Sequence, residues 1–181
     1  GGEPLTPLEY KHEYLRRLWE QIEHRVDGLE DGSIEREIML VPGSVDLLEE
    51  LRGRGLTLYL ASGTDEPYVI NEANILGVTD FFDGGIYGAL DRHEDFSKAK
   101  VIQEIIRDHD LSGEELLGFG DGYVEIENVK AVGGYAVGVA SEEIKREGIN
   151  EWKRNRLTGA GADIIIPDYR DLTRLMDYLF P

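Results

Sequence analysis

The chain of 181 residues contains no cysteine. Disulfides and thiolate zinc sites are therefore excluded. It also has no uninterrupted apolar run of about eighteen residues, the length a membrane-spanning helix needs. The first residues, Gly1-Gly2-Glu3-Pro4, lack the basic and apolar regions of a secretory signal. Basic side chains are scarce: 19 Lys and Arg face 37 Asp and Glu, for a net charge of −18. A field of that sign repels nucleic acid and anionic membrane, so neither is expected as a partner. Together these absences point to a cytoplasmic protein. With 41% hydrophobic residues, what remains is enough for one ordinary core.

There are no internal repeats and no low-complexity stretch. In the first 35 residues Leu8, Leu15, Leu18, Trp19, Ile22 and Val26 recur at helical spacing, and Gly28, Asp31 and Gly32 interrupt them. Asp27-Gly28 and Asp31-Gly32 read as turns. Beyond Pro42-Gly43 the pattern becomes regular. A helix is expected from Ser44 to Leu51, a buried strand over Leu56 to Ala61, and a turn at Ser62-Gly63-Thr64-Asp65. A helix carrying Val69, Ile70, Ala73 and Leu76 ends at Gly77, and Phe81, Phe82, Ile86 and Tyr87 suggest a packed loop with a short strand. Ser97 opens a helix with Val101, Ile102, Ile105 and Ile106 on one face.

Ser112 and Glu115 have capping-box spacing before the apolar run Glu115-Leu116-Leu117. A helix is expected from Ile126 to Gly133, then a strand at Tyr135 to Val139 and a helix near Ile149 to Leu157. A strand at Ile164 to Ile166 and a last helix at Leu172 to Leu179 complete the pattern. Strands alternating with helices of this length specify an α/β fold: a Rossmann-like parallel sheet flanked by helices.

Three strand or helix ends carry polar groups suited to chemistry. Ser62-Gly63-Thr64 offers a hydroxyl and backbone N–H groups of the kind that bind a phosphate oxygen. Lys98 and Lys100 place positive charge at a helix start, where the helix dipole is already positive, an arrangement that suits an anion nearby. Gly118-Phe119-Gly120-Asp121-Gly122-Tyr123-Val124-Glu125 puts two carboxylates beyond a strand end, where open α/β sheets bind ligands. Two acids crowded there favour a hard cation, Mg²⁺, beside a phosphate. A dinucleotide fingerprint is excluded, because Tyr123 stands where the third glycine is required.

The order of Ser62, Lys98 and Gly120-Asp121-Gly122-Tyr123-Val124-Glu125 resembles the haloacid dehalogenase-like superfamily of phosphohydrolases. So does the stretch to Gly138, through Ala131-Val132-Gly133-Gly134 and Ala136-Val137-Gly138-Val139. The resemblance covers about Val41 to Pro181 and is nearest the phosphoglucomutase- and phosphoglycolate-phosphatase-like group. It implies a hydrolase core over residues 41–181 and part of a helical cap over 1–40. It also implies that Ser62 and Gly63 bind the transferring phosphoryl group and that Lys98 neutralises it, with Lys100 as the other candidate. Asp121 would bind Mg²⁺, and Glu125, one methylene longer than the family's Asp, would reach the metal directly or through water. The substrate would be a small phosphorylated metabolite.

The family's nucleophile lies in an Asp-x-Asp motif after the first strand, and no such motif precedes Ser62. That strand is central in the family's sheet. The resemblance therefore implies a nucleophile outside this sequence, with self-association or a complementing N-terminal segment filling the sheet. Two alternatives stand beside the phosphatase: a phosphomutase, and a non-catalytic phosphate-binding or interaction module of the same fold.

Remaining polar clusters read as surface. His12 and His24 fall on the first helix, Asp91-Arg92-His93-Glu94-Asp95 on a solvated loop, and Asp163 at the start of the last strand as a structural group. Trp152-Lys153-Arg154-Asn155-Arg156 is a basic cluster against an acidic background, read as a helix face able to hold a neighbouring acidic surface.

Overall fold

The computed structural model describes residues 6–89 and 98–181. Ser97 and the Asp91–Asp95 loop fall outside the described residues. The chain divides into two compact units, Gly1–Met39 and Leu40–Pro181.

The first unit is dominated by α1 (Pro7–Glu30). Thr6 caps it: its Oγ1 accepts from the Glu9 N–H at 3.3 Å, and its own N–H donates to Glu9 Oε2 at 2.7 Å. Pro7 follows at the position where a missing N–H costs nothing. Asp27-Gly28, expected as a turn, lies inside the helix instead, and only Asp31 and Gly32 turn. The reason is local packing. The chain returns over Gly28, whose carbonyl accepts from the Ile34 N–H at 2.7 Å, and a Cβ there would meet Ile34 Cδ1 at 2.6 Å. His12 and His24 are exposed. No helix among the described residues is long and apolar enough to cross a membrane.

The second unit is α/β. Its elements are α2 (Ser44–Gly53), β1 (Tyr59–Asp65), α3 (Glu66–Leu76), β2 (Gly85–Ala89) and α4 (Lys98–Asp108). There follow β3 (Leu117–Gly120), α5 (Tyr123–Ala131), β4 (Tyr135–Val139), α6 (Glu151–Gly159), β5 (Ile164–Ile166) and α7 (Leu172–Leu179). Among the described residues the named strands pair in parallel: β1 with β2, β3 with β4, and β4 with β5. Gly77 stops α3 at φ 71°, a backbone state glycine adopts without steric cost.

β4 is apolar throughout, and Ala136 and Val137 are fully buried. That is the pattern of a strand covered on both faces. The isoleucines of β5 show which helices cover which face. Ile165 packs with Ile126 and Val129 of α5 and Leu157 of α6, while Ile164 and Ile166 pack with Leu47 and Leu51 of α2 and Leu175 and Met176 of α7. Successive strand side chains point to opposite faces, so helices lie on both sides of the sheet.

The sheet expected as one is divided. Among the described residues β1 and β2 form one ladder and β3, β4 and β5 another, with no pairing between β1 and β3. Yet the two ladders share their helix layers. α4 packs on β1 and on α5, which packs on β3. On the other face Leu58, just before β1, and Phe119 of β3 join one cluster.

Several boundaries differ from the sequence expectation: α5 spans Tyr123–Ala131 rather than Ile126 to Gly133, α6 spans Glu151–Gly159, and two strands are shifted. β1 starts at Tyr59 rather than Leu56 and continues through the supposed turn to Asp65. It does so by an irregular ladder: Ala61 faces Tyr87 and Asp65 faces Ala89, so β1 accommodates extra residues around Ser62-Gly63-Thr64. β3 starts at Leu117, because Gly113–Glu115 forms a short 3₁₀ turn closed by the Ser112 N–H on Glu115 Oε2 at 2.9 Å.

Candidate active site

Gly120 ends β3 and Tyr123 begins α5, so Asp121 and Gly122 form the strand-to-helix turn. Glu125 sits in the first turn of α5, where the helix dipole favours an acid. Asp121 and Glu125 border one cavity of about 320 Å³, whose other walls include Tyr123, Trp152, Lys153 and Arg156. Both carboxylates of the expected pair therefore face a common space, and each is held by a lysine from a different helix.

Lys98, at the start of α4, donates its ammonium to Glu125 Oε1. Both side chains are mostly buried, 18% and 27% exposed. Lys100, the other candidate, is exposed. The Asp121 carboxylate is 64% exposed and accepts from the Lys153 ammonium at 3.2 Å. Lys153 is only 13% exposed. Its ammonium also donates to Glu143 at 2.7 Å and to the hydroxyl of Ser141 at 3.3 Å. Burial pulls the Lys153 ammonium toward deprotonation, but its hydrogen bonds to Glu143 and Asp121 outweigh that and hold it above the ordinary lysine range.

Ser62 and Gly63 do not border this cavity. They lie in the irregular part of β1, against which α4 packs. The Ser62 Oγ accepts from the Thr64 N–H at 3.2 Å, while Gly63 is exposed with open space beside its Cα. The geometry thus joins Lys98 to Glu125, sets Glu125 and Asp121 on one cavity, and leaves the hydroxyl in the middle of β1 in the same unit.

The far wall of the cavity is aromatic and cationic. The Arg156 guanidinium lies over the Tyr123 ring at 4.6 Å and over the Trp152 ring at 4.5 Å. Behind β3, Tyr169 meets Phe119 edge-on at 6.0 Å, and burial with the nearby Asp121 charge raises its phenol strongly. Asp163 plays the structural part expected of it. It accepts from the Ala136 N–H at 2.7 Å and from Lys130 at 2.8 Å, tying α5 to the start of β5. His109 meets Tyr59 edge-on at 6.1 Å.

Among the described residues no group of three or more His, Cys, Asp or Glu is placed to hold a metal ion. The donor chemistry still fits Mg²⁺, which keeps several waters and binds proteins through one or two carboxylates. Asp121 offers an exposed oxygen at the cavity, and Glu125 a second acid beside it.

Sequence reasoning missed Lys153, Ser141 and Glu143 as members of the site. The available signal was the basic cluster at Trp152–Arg156 in an acidic chain. Its acidic neighbours are Glu143 and Asp121 itself.

A family model described as a haloacid dehalogenase-like hydrolase matches residues 8–133. Among solved structures, a haloacid dehalogenase-like family hydrolase from Streptococcus pneumoniae is 26% identical with a TM-score of 0.58, over 76% of this chain and 59% of that one. A predicted phosphoglycolate phosphatase from Haemophilus somnus is 19% identical with a TM-score of 0.61, over 76% of this chain and 57% of that one. A β-phosphoglucomutase from Clostridium difficile is 18% identical with a TM-score of 0.59, over 94% of this chain and 70% of that one. The last two likenesses show the fold alone. The chain spans less than two thirds of the length of the Streptococcus and Haemophilus proteins. No curated protein matches it.

Proposed function

From the premise that this chain belongs to the haloacid dehalogenase-like hydrolase family, we propose that it forms the core of a Mg²⁺-dependent phosphatase acting on a small organic phosphomonoester. The observation that carries the reading is the pairing of Lys98, which does not itself border the cavity, with Glu125, which borders it together with Asp121. A carboxylate just past a strand end, with an acid and an ammonium from the first turns of two helices, can hold a phosphoryl group and a cation together. Solved phosphatase and phosphomutase structures of the same fold support it.

In this reading Ser62 Oγ and the Gly63 N–H take one phosphoryl oxygen, and Lys98 neutralises the others. Asp121 and Glu125 would hold Mg²⁺, which when bound would stabilise charge on those oxygens. A carboxylate outside this sequence, from an Asp-x-Asp motif, attacks phosphorus and releases the alcohol. Water then cleaves the aspartyl phosphate to give inorganic phosphate and restore the carboxylate. In this reading the strand bearing that motif pairs with β1 and β3, which are not paired with each other among the described residues. On the same reading residues 1–40 belong to a helical cap and residues 41–181 are the hydrolase core.

The test is hydrolysis of p-nitrophenyl phosphate with Mg²⁺, by the chain alone and with a peptide that is an apolar strand ending in Asp-x-Asp. The chain alone should not turn over, and the mixture should. Absence of turnover with every strand donor, together with no binding of inorganic phosphate, would leave the fold without this activity.

A further inference from the structure

The phosphatase reading uses Lys98 but gives Lys153 no part. The Lys153 backbone N–H donates to the Asn150 side chain at 3.0 Å, which fixes it in the first turn of α6. Its ammonium, mostly buried, is shared among Glu143, Asp121 and Ser141, at 2.7, 3.2 and 3.3 Å. Ser141, just past β4, is the buried polar residue of the core among the described residues. The tightest of the three contacts is to Glu143, whose side chain is 74% exposed. Asp121 is therefore the weaker of two acidic partners.

We propose that Lys153 is a built-in counter-cation for Asp121, which moves fully onto Glu143 and Ser141 when a divalent ion takes that carboxylate, and which thereby keeps the site's affinity for such ions low. The proposal rests on the reading of Asp121 as a metal ligand. The physical case is one of competition. An ammonium and a divalent ion within a few ångströms of one carboxylate repel each other, and a half-buried setting screens that repulsion less than bulk water does. Stranding a buried ammonium would be costly, but Glu143 and Ser141 remain as partners, so the exchange leaves no buried charge alone. Among the described residues the acid paired with Lys98 is Glu125, the other member of the pair.

The test is Mg²⁺ and Mn²⁺ binding to the full chain by calorimetry, with thermal melts to confirm folding. Lys153→Gln should tighten divalent binding by about tenfold or more. Glu143→Gln, an exposed change that leaves Lys153 only Asp121 as an acidic partner, should weaken it several-fold. Asp121→Asn should remove it. If Lys153→Gln binds equally or more weakly, Lys153 only orients Asp121 and the proposal is overturned while the metal reading stands. If neither the parent chain nor Lys153→Gln binds a divalent ion, the metal reading fails and this proposal with it. Should Lys153→Gln not fold, Glu143→Gln decides: unchanged or tighter binding overturns the competition.

Discussion

Gly120, the last residue of β3, packs directly beneath Glu125: a Cβ on Gly120 would lie 2.7 Å from the Cβ of Glu125. No rotamer change relieves a contact between two Cβ atoms, so the backbones must separate. Gly120→Ala should move Glu125 away from Lys98 and cost about 1–3 kcal/mol of stability, the usual range for overpacking. A melt and a Mg²⁺ titration of the variant check this. An unchanged melting temperature with parent affinity would mean the strand end tolerates the side chain.

Asp121→Asn keeps the shape of the turn and removes its charge. In a form of the enzyme competent for turnover, phosphatase activity should fall by about 100-fold or more, the scale of losing one stabiliser of transition-state charge. Mg²⁺ affinity should fall with it. Stability should change little, because the carboxylate is 64% exposed and its one ion-pair partner, Lys153, retains Glu143. Full activity in this variant would place the metal elsewhere.

Leu157 is fully buried between α5 and the face of the sheet that carries Ile165. Leu157→Ala should cost about 2–5 kcal/mol, the sum of lost burial and the cavity left behind. Urea unfolding measures it. Because Leu157 shares α6 with Lys153, the same variant is expected to loosen the contact at Asp121 as well, visible as a change in divalent affinity.

Asp168 follows β5 and is nearly buried, with Arg170 donating to it at 2.6 Å. That hydrogen bond holds its carboxyl below the usual aspartate range, against the opposing effect of burial. A folded-state pKa below the unfolded one stabilises the fold above the unfolded value, about 3.9, and the contribution disappears as pH falls through the folded value. The stability gap between the parent chain and Asp168→Asn should therefore be full at pH 6 and shrink progressively below about pH 4. Urea midpoints along the acid limb test the sign. A gap that widens on acidification would contradict it.

The fold was legible where one side-chain property decided the element. Tyr135 to Val139 and Ile164 to Ile166 are unbroken apolar runs, and as strands they keep those boundaries. It was illegible where backbone pairing overrode composition: Ser62-Gly63-Thr64-Asp65 has turn residues but stays in β1, because Asp65 regains a partner in Ala89. Gly28 was misread because its value is to make room for Ile34, a contact that exists only after the chain has turned back. In the site, Asp121 and Glu125 announce themselves by spacing around glycines at a strand end. Lys153 does not, since it lies 32 residues from Asp121 and reaches it only because α6 packs against β4.

The two ladders that share helices but not hydrogen bonds carry a thermodynamic corollary. Among the described residues β1 and β3 each leave a row of N–H and C=O groups unpaired, and if the proposed strand binds there, those rows act as a receptor whose ligand is a strand. Whatever occupies it stabilises the fold by mass action, by about 2.7 kcal/mol at a hundred times its dissociation constant. The melting temperature of this chain then becomes a concentration-dependent quantity, and a shift on adding a candidate peptide reads out strand occupancy without any enzymatic assay.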